Sequence, residues 1–235
     1  MNDFKIWKAI LEIRFPAATS IFDGRGKIAA KWQWTSDLSE WQISNNQVTI
    51  HNKANTTFLH AGFRNIVIVM EAPQNYKAFL NQALDFSTWT LDTLQVKKAE
   101  RIGLRLIQIA ERKHFKLLVS TMRQRLFRLS DEDWSVIGGH PEDIGLPLTL
   151  SLGENKANFS LGPMKKEQLV DLFESSEVKD KLPLVALFLD FDLYQHDPKA
   201  LIELSQESLS LYLKSGGEQI LDLSAKFVSR FGGFE

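Results

Sequence analysis

The 235-residue chain is 44% hydrophobic and 24% charged, with six Trp and sixteen Phe, enough apolar material for a substantial folded core. Lys plus Arg number 28 against 29 Asp plus Glu, a formal charge of -1, and such totals carry no electrostatic footprint for nucleic acid or anionic lipid. Cysteine is absent, which excludes disulfides, zinc–thiolate sites, cysteine-ligated iron–sulfur clusters and thiol catalysis, and fits a cytoplasmic location.

The first stretch, MNDFKIWKAILEIRF, is broken by Asp3, Lys5, Lys8, Glu12 and Arg14, which argues against a signal peptide. The longest apolar runs, NIVIVM and LPLVALFLDF, fall short of a membrane span, so no membrane partner is expected. Alternation predicts a first strand, with Trp7, Ala9, Leu11, Ile13 and Phe15 on one face and Lys8, Glu12 and Arg14 on the other. A short helix is weakly signalled between Ser20 and Trp34, against Gly24 and Gly26. A hairpin follows across HNKAN, then the strand RNIVIVME closed by Pro73. Tyr76 to Leu94 reads as an amphipathic helix capped by Asn75. Period two then holds from Ile102 to Ile109, and Phe115, Leu118, Val119, Met122 and Leu126 take up helical spacing.

The second half runs in a similar order. LPLTLSLGENKANFSLGP reads as a hairpin, MKKEQLVDLFESSEVKDKL as a short helix and connector, and PLVALFLDFDLYQ as the strongest strand. The remainder from Asp197 reads as helix, with Asp197 as cap, Pro198 in the first turn and a kink at Gly216–Gly217. NKAN occurs at 52–55 and again at 155–158, YKAFL at 76–80 is echoed by PKALI at 198–202, and AILEIRF by GLRLIQI. The order of these echoes predicts an α+β fold of two related halves, 1–98 and 99–235. Each half is expected to be a mostly antiparallel sheet packed with helices, in the order strand, helix, hairpin, strand, helix. The two sheets are expected to lie either side by side as one sheet or apart as two lobes.

The acidic-then-basic strand ILEIRF, followed about ninety residues later by RIGLRLIQI, resembles a sporadically distributed family of uncharacterised bacterial proteins with a central R-x-G-L-R-Y-x-N-like stretch. Glu12 and Arg14 match the first part, and Arg101, Gly103, Leu104 and Arg105 the second. Leu106 stands where that pattern has an aromatic residue and Gln108 where it has asparagine. The resemblance covers residues 9–110 and implies no activity, cofactor or catalytic residue.

Arg101, Gly103 and Arg105 fall on one side of their strand, and Glu12 and Arg14 on the polar side of the first. If those strands are neighbours, Glu12 accepts from Arg101 or Arg105 and the set is a structural charge cluster; otherwise the arginines line an anion- or peptide-binding groove. Asp190 and Asp192 share a strand face and read either as partners of the arginines or as an acid/base or cation-binding pair. No histidine falls in a metal-binding or nucleophile-activating spacing; HPED at 140–143 reads as a turn. KWQWTSDLSEW, with Trp32, Trp34 and Trp41, reads as a core corner or an interaction surface, and RKHFK with Arg123, Arg125 and Arg128 gives the middle third a basic character. Neither arrangement forms a nucleic-acid module. The expected function is a soluble protein-interaction or assembly module that binds an unidentified protein or itself, with no cofactor and no metal. The competing expectation is an enzyme acting on an anionic small molecule or phosphate ester, with Arg101 and Arg105 as clamps and Asp190 or Asp192 as base.

Overall fold

The computed structural model describes residues 4–32, 38–127, 129–139 and 141–231; Trp34, Arg128, His140 and the last four residues of the RFGGFE terminus lie outside them. In chain order the elements of the first part are β1 (Lys5–Arg14), α1 (Ile21–Trp32), β2 (Glu40–Ile43), β3 (Gln47–His51), β4 (Thr57–Gly62), β5 (Asn65–Glu71) and α2 (Tyr76–Thr93). They continue with β6 (Lys98–Ala99), β7 (Arg101–Glu111), α3 (Phe115–Leu126), α4 (Asp131–Ile137), β8 (Leu146–Leu152) and β9 (Asn155–Lys165). The last are α5 (Lys166–Val170), α6 (Ser176–Lys181), β10 (Val185–Gln195), β11 (Ile202–Glu203) and α7 (Gln206–Phe231).

Nine strands form one antiparallel sheet in the order β2-β3-β4-β5-β1-β7-β10-β9-β8. This corrects the expectation of two similarly sized halves, each with its own sheet. β1 and β7 pair along nearly their whole length, from Lys5↔Ile109 to Arg14↔Arg101, so one sheet continues through the middle of the molecule. The physical reason is that neither strand has a free edge: β1 is hydrogen-bonded by β5 and β7, and β7 by β1 and β10.

The apolar rows of the strands share one face. Ala9, Leu11, Ile13, Ile66, Ile68, Leu104, Leu106, Leu189, Phe191 and Leu193 lie in the main core, with Ile28 and Trp32 of α1, Phe79 and Phe86 of α2, and Leu213 and Ile220 of α7. Trp7 departs from the predicted alternation. The register of β1 against β7 slips between Ile6 and Lys8, and this bulge sends the Trp7 ring to the opposite face, edge-on to Phe173. There Ile107, Ile109, Ala186 and Phe188 meet Leu169, Phe173, Val178 and Leu182 in a second, smaller core under α5 and α6. The opposite face therefore has a covered end and an end of partly exposed polar side chains.

α2 starts where expected, with the Asn75 side chain accepting from the Ala78 N–H. α7 does not start at Asp197. Residues 198–200 form a bend, with Lys199 N–H donating to Asp197 Oδ1, then Ile202 and Glu203 pair with Ala99 and Lys98, and Ser205 Oγ accepts from Ser208 N–H to open the helix. PKALI therefore does not match YKAFL as a helix start. Nor do Gly216 and Gly217 break α7, which is continuous through both. They are points of close approach: a Cβ on Gly216 would meet Leu193 at 3.1 Å, and one on Gly217 would overlap the Tyr76 ring, whose hydroxyl donates to Leu213 O at 2.5 Å. Gly217→Ala is expected to lower stability by about 1–3 kcal/mol. Gly26→Ala, whose Cβ would meet nothing within 4 Å, is expected to raise it by about 0.5–1 kcal/mol; urea unfolding measures both.

Candidate functional site

The register that joins the central strands also sets the charges opposite one another. Glu12 of β1 faces Gly103 of β7, and Gly103 in turn faces Tyr194 of β10. Glycine leaves a bare patch of backbone there, and the Arg101 side chain fills it. A Cβ on Gly103 would lie 2.7 Å from Arg101 Nη1 and 3.0 Å from its Cζ. From that position Arg101 Nη1 donates to Glu12 Oε2 at 2.9 Å, while Nη2 donates to Asp192 Oδ2 at 3.0 Å and Oδ1 at 3.2 Å. Its guanidinium also sits 4.8 Å from the Tyr194 ring centroid. One arginine thus holds carboxylates from the strands on either side of its own.

Arg105 takes the other aspartate. Its Nε donates to Asp190 Oδ1 at 2.7 Å and its Nη2 to Oδ2 at 2.5 Å, the two-pronged geometry that suits guanidinium to carboxylate. That hydrogen bond, ahead of the burial that opposes it, raises the Arg105 pKa above its ordinary value. Arg14 reaches Glu12 Oε2 at 2.9 Å from the more exposed end of β1, and the same hydrogen bond raises its pKa. The side chains of Arg101 and Asp192 are 18% and 23% exposed, so this pair is largely removed from water, whereas Arg105 at 42% is half open.

All six charged residues singled out by sequence, Glu12, Arg14, Arg101, Arg105, Asp190 and Asp192, lie on one face of the sheet and are engaged with one another. Glu12 bonds Arg101 and Arg14, not Arg105. His196 is elsewhere, its Nδ1 2.7 Å from Glu100 O. Among the described residues no group of three or more His, Asp or Glu side chains is placed to hold a metal ion. His60, on β4, has its pKa lowered by burial, against a side-chain hydrogen bond to Asn65 that opposes the shift.

A second ionic group, on the same face, escaped sequence reasoning. Glu71 closes β5 only 3% exposed, paired with Lys8 Nζ at 3.0 Å. Its carboxylate accepts from the Glu174 N–H at 2.9 Å and the Ser175 N–H at 3.1 Å, while Lys8 Nζ donates to Leu172 O at 2.7 Å. The three bonds to Leu172, Glu174 and Ser175 fasten the turn between α5 and α6 to the sheet and so define the boundary of the covered end. Beside them is a cleft of about 480 Å³ lined by Lys8, His51, Asn55, Phe58, Val69 and Glu174, among others. The only trace of this group in the sequence is a carboxylate terminating the apolar run NIVIVM; the backbone donors that meet it are about a hundred residues away.

The three tryptophans of KWQWTSDLSEW divide: Trp32 is buried in the main core, Trp41 is exposed on β2, and Trp34 is outside the described residues. No protein-family model matches the chain, and no curated protein matches it. None of the described helices is long and apolar enough to cross a membrane.

Removing one partner of a buried pair leaves the other uncompensated. Lys8→Met is therefore expected to cost about 3–5 kcal/mol, because the Glu71 carboxylate stays buried with only two backbone donors. Denaturant unfolding read by Trp fluorescence checks it.

Proposed function

We propose that the protein is an interaction or assembly module without chemistry of its own, and that it docks through the outer edge of β8. The observation that carries this reading is the character of that strand. β8 is the last strand on its side of the sheet and pairs only with β9. Its sequence, LPLTLSL, contains no charge over seven residues. Leu146, Leu150 and Leu152 lean on the main core, while Leu148 on the same row is 41% exposed. Unpaired backbone donors and acceptors beside a row of leucines are a template for one more strand. Only Pro147, which lacks an N–H, blunts this edge. The opposite edge, β2, is four residues long and carries Glu40, so it offers far less to an added strand.

The charge cluster supports the same reading from the other direction. Arg101 and Arg105 each hold a carboxylate in place, so neither is free to clamp a substrate anion. Asp190 and Asp192 are each engaged as acceptors by a guanidinium group, so their oxygens are committed to structural hydrogen bonds. The occupant suited to β8 is an extended protein segment with alternating apolar side chains, from another protein or from a second copy of this chain.

The test uses the whole chain as bait in native extract, with chemical cross-linking and mass spectrometry, alongside Leu148→Lys. Because Leu148 is exposed, the variant is expected to fold normally, which its circular dichroism checks. A protein, or a second copy, that cross-links near β8 and is retained at least about tenfold less by Leu148→Lys supports the reading. Equal retention by the variant, or capture of nothing, contradicts it.

A further inference from the structure

Read from either end, β8 is nearly the same strand. LPLTLSL places Thr149 at its centre, Leu148 and Leu150 beside it, and Leu146 and Leu152 at the ends. Only Pro147 and Ser151 break the symmetry. The turn Gly153–Glu154, with Gly153 at φ 68°, joins Leu152 to Asn155. The pair that closes so tight a turn exchanges its backbone hydrogen bonds. Leu152, and by alternation Leu150, Leu148 and Leu146, therefore turn their N–H and C=O groups toward β9. Lys166 N–H, bonded to Leu184 O, fixes the same alternation from the far end of β9. Pro147, Thr149 and Ser151 are left with their backbone groups directed outward, and all three are exposed.

We infer, resting on the reading of β8 as the docking edge, that its occupant is β8 of a second copy, paired antiparallel about a two-fold axis at Thr149. Around that axis each Thr149 N–H meets the other Thr149 carbonyl, and each Ser151 N–H meets the carbonyl of Pro147 in the second copy. The missing Pro147 N–H leaves only the Ser151 carbonyl without a donor, at a residue open to water. Leu148 falls beside Leu150 of the second copy, and Leu146 beside Leu152, in the pairs whose side chains approach most closely. Leu148, 41% exposed in the single chain, thereby gains an apolar neighbour.

The charge pattern fits this occupant. On a strand that pairs with itself, a charge at the centre meets its own copy, and like charges set opposite one another are destabilising. β8 carries none. The other free edge, β2, is four residues long and begins with Glu40, so it offers no matching strand. A β8–β2 contact would also repeat without closing, whereas the β8 pair closes on itself. The nine-stranded sheet then continues into the second copy and ends at β2 on both sides. One strand edge is a small contact, at the low end of interface sizes, so the dimer forms and dissociates with concentration.

The test is sedimentation equilibrium of the full chain at low salt, from about 1 μM to about 1 mM. It compares the unsubstituted chain, Thr149→Lys, Thr149→Glu, and an equimolar mixture of the two variants. Thr149 is exposed, so both variants are expected to keep the fold, which circular dichroism checks. The unsubstituted chain is expected to dimerise with a Kd between about 1 and 100 μM. Each variant sets a charge against itself at the axis, and at least about fivefold weaker dimerisation is expected. In the mixture Lys faces Glu, and association at least as tight as that of the unsubstituted chain is expected. A chain that stays monomeric to about 1 mM, a dimer that Thr149→Lys leaves unchanged, or no recovery on mixing overturns the second copy as occupant. A monomer that retains a different protein from extract, and loses it with Leu148→Lys, overturns the second copy and leaves the docking edge standing. A monomer that retains nothing overturns both.

Discussion

Arg101 lying flat over Gly103 is the contact on which the open face of the sheet depends. A guanidinium in the middle of a nine-stranded sheet is costly unless its donors are matched. Here the glycine removes the side chain that would push it away, and β1 and β10 deliver Glu12 and Asp192 to its two ends. The antiparallel register makes this possible: residues that face Gly103 on either side belong to the same row as the carboxylates. Three central strands are thus tied across their polar face as well as through their backbones.

The rest of that face follows from where polarity gives way to apolar side chains along the same strands. On β7 the row runs Arg101, Gly103, Arg105, Ile107, Ile109, and on β10 it runs Tyr194, Asp192, Asp190, Phe188, Ala186. The apolar ends of both rows require a cover, which α5 and α6 provide. Lys8 and Glu71 fix that cover at its border. With its charges neutralised by each other and its apolar end closed, the face itself offers little for recognition. The edge of β8, uncharged and paired only with β9, is where we propose that recognition takes place.

Local signals were legible in the sequence. The strand periods of β1, β7 and β10, the Asn75 cap, the hairpin from β8 to β9 and the six charged residues of the cluster can all be read from spacing alone. Pairing across the sheet was not. The alternatives for Glu12, Arg101 or Arg105, differ only in side-chain path, and the choice is made by the space above Gly103. The Trp7 bulge depends on a slip between two strands and leaves no mark in alternation. Asp197–Pro198 looked like a helix start because its local chemistry is right, yet β6 captures residues 202–203 first and the helix waits for Ser205. Similar segment order suggested two sheets because order says nothing about which edges meet. Continuity came from the β1–β7 ladder, a contact between residues some ninety positions apart.

The account rests on Arg101 being held by its carboxylates and not standing free for a ligand. A double-mutant cycle with Arg101→Ala, Asp192→Ala and the pair, read by urea unfolding, tests this most directly. A coupling energy of about 1–2 kcal/mol is predicted, within the usual range for residues in contact. Additivity to within about 0.3 kcal/mol would contradict it, because an arginine that does not feel Asp192 is an arginine available to something else.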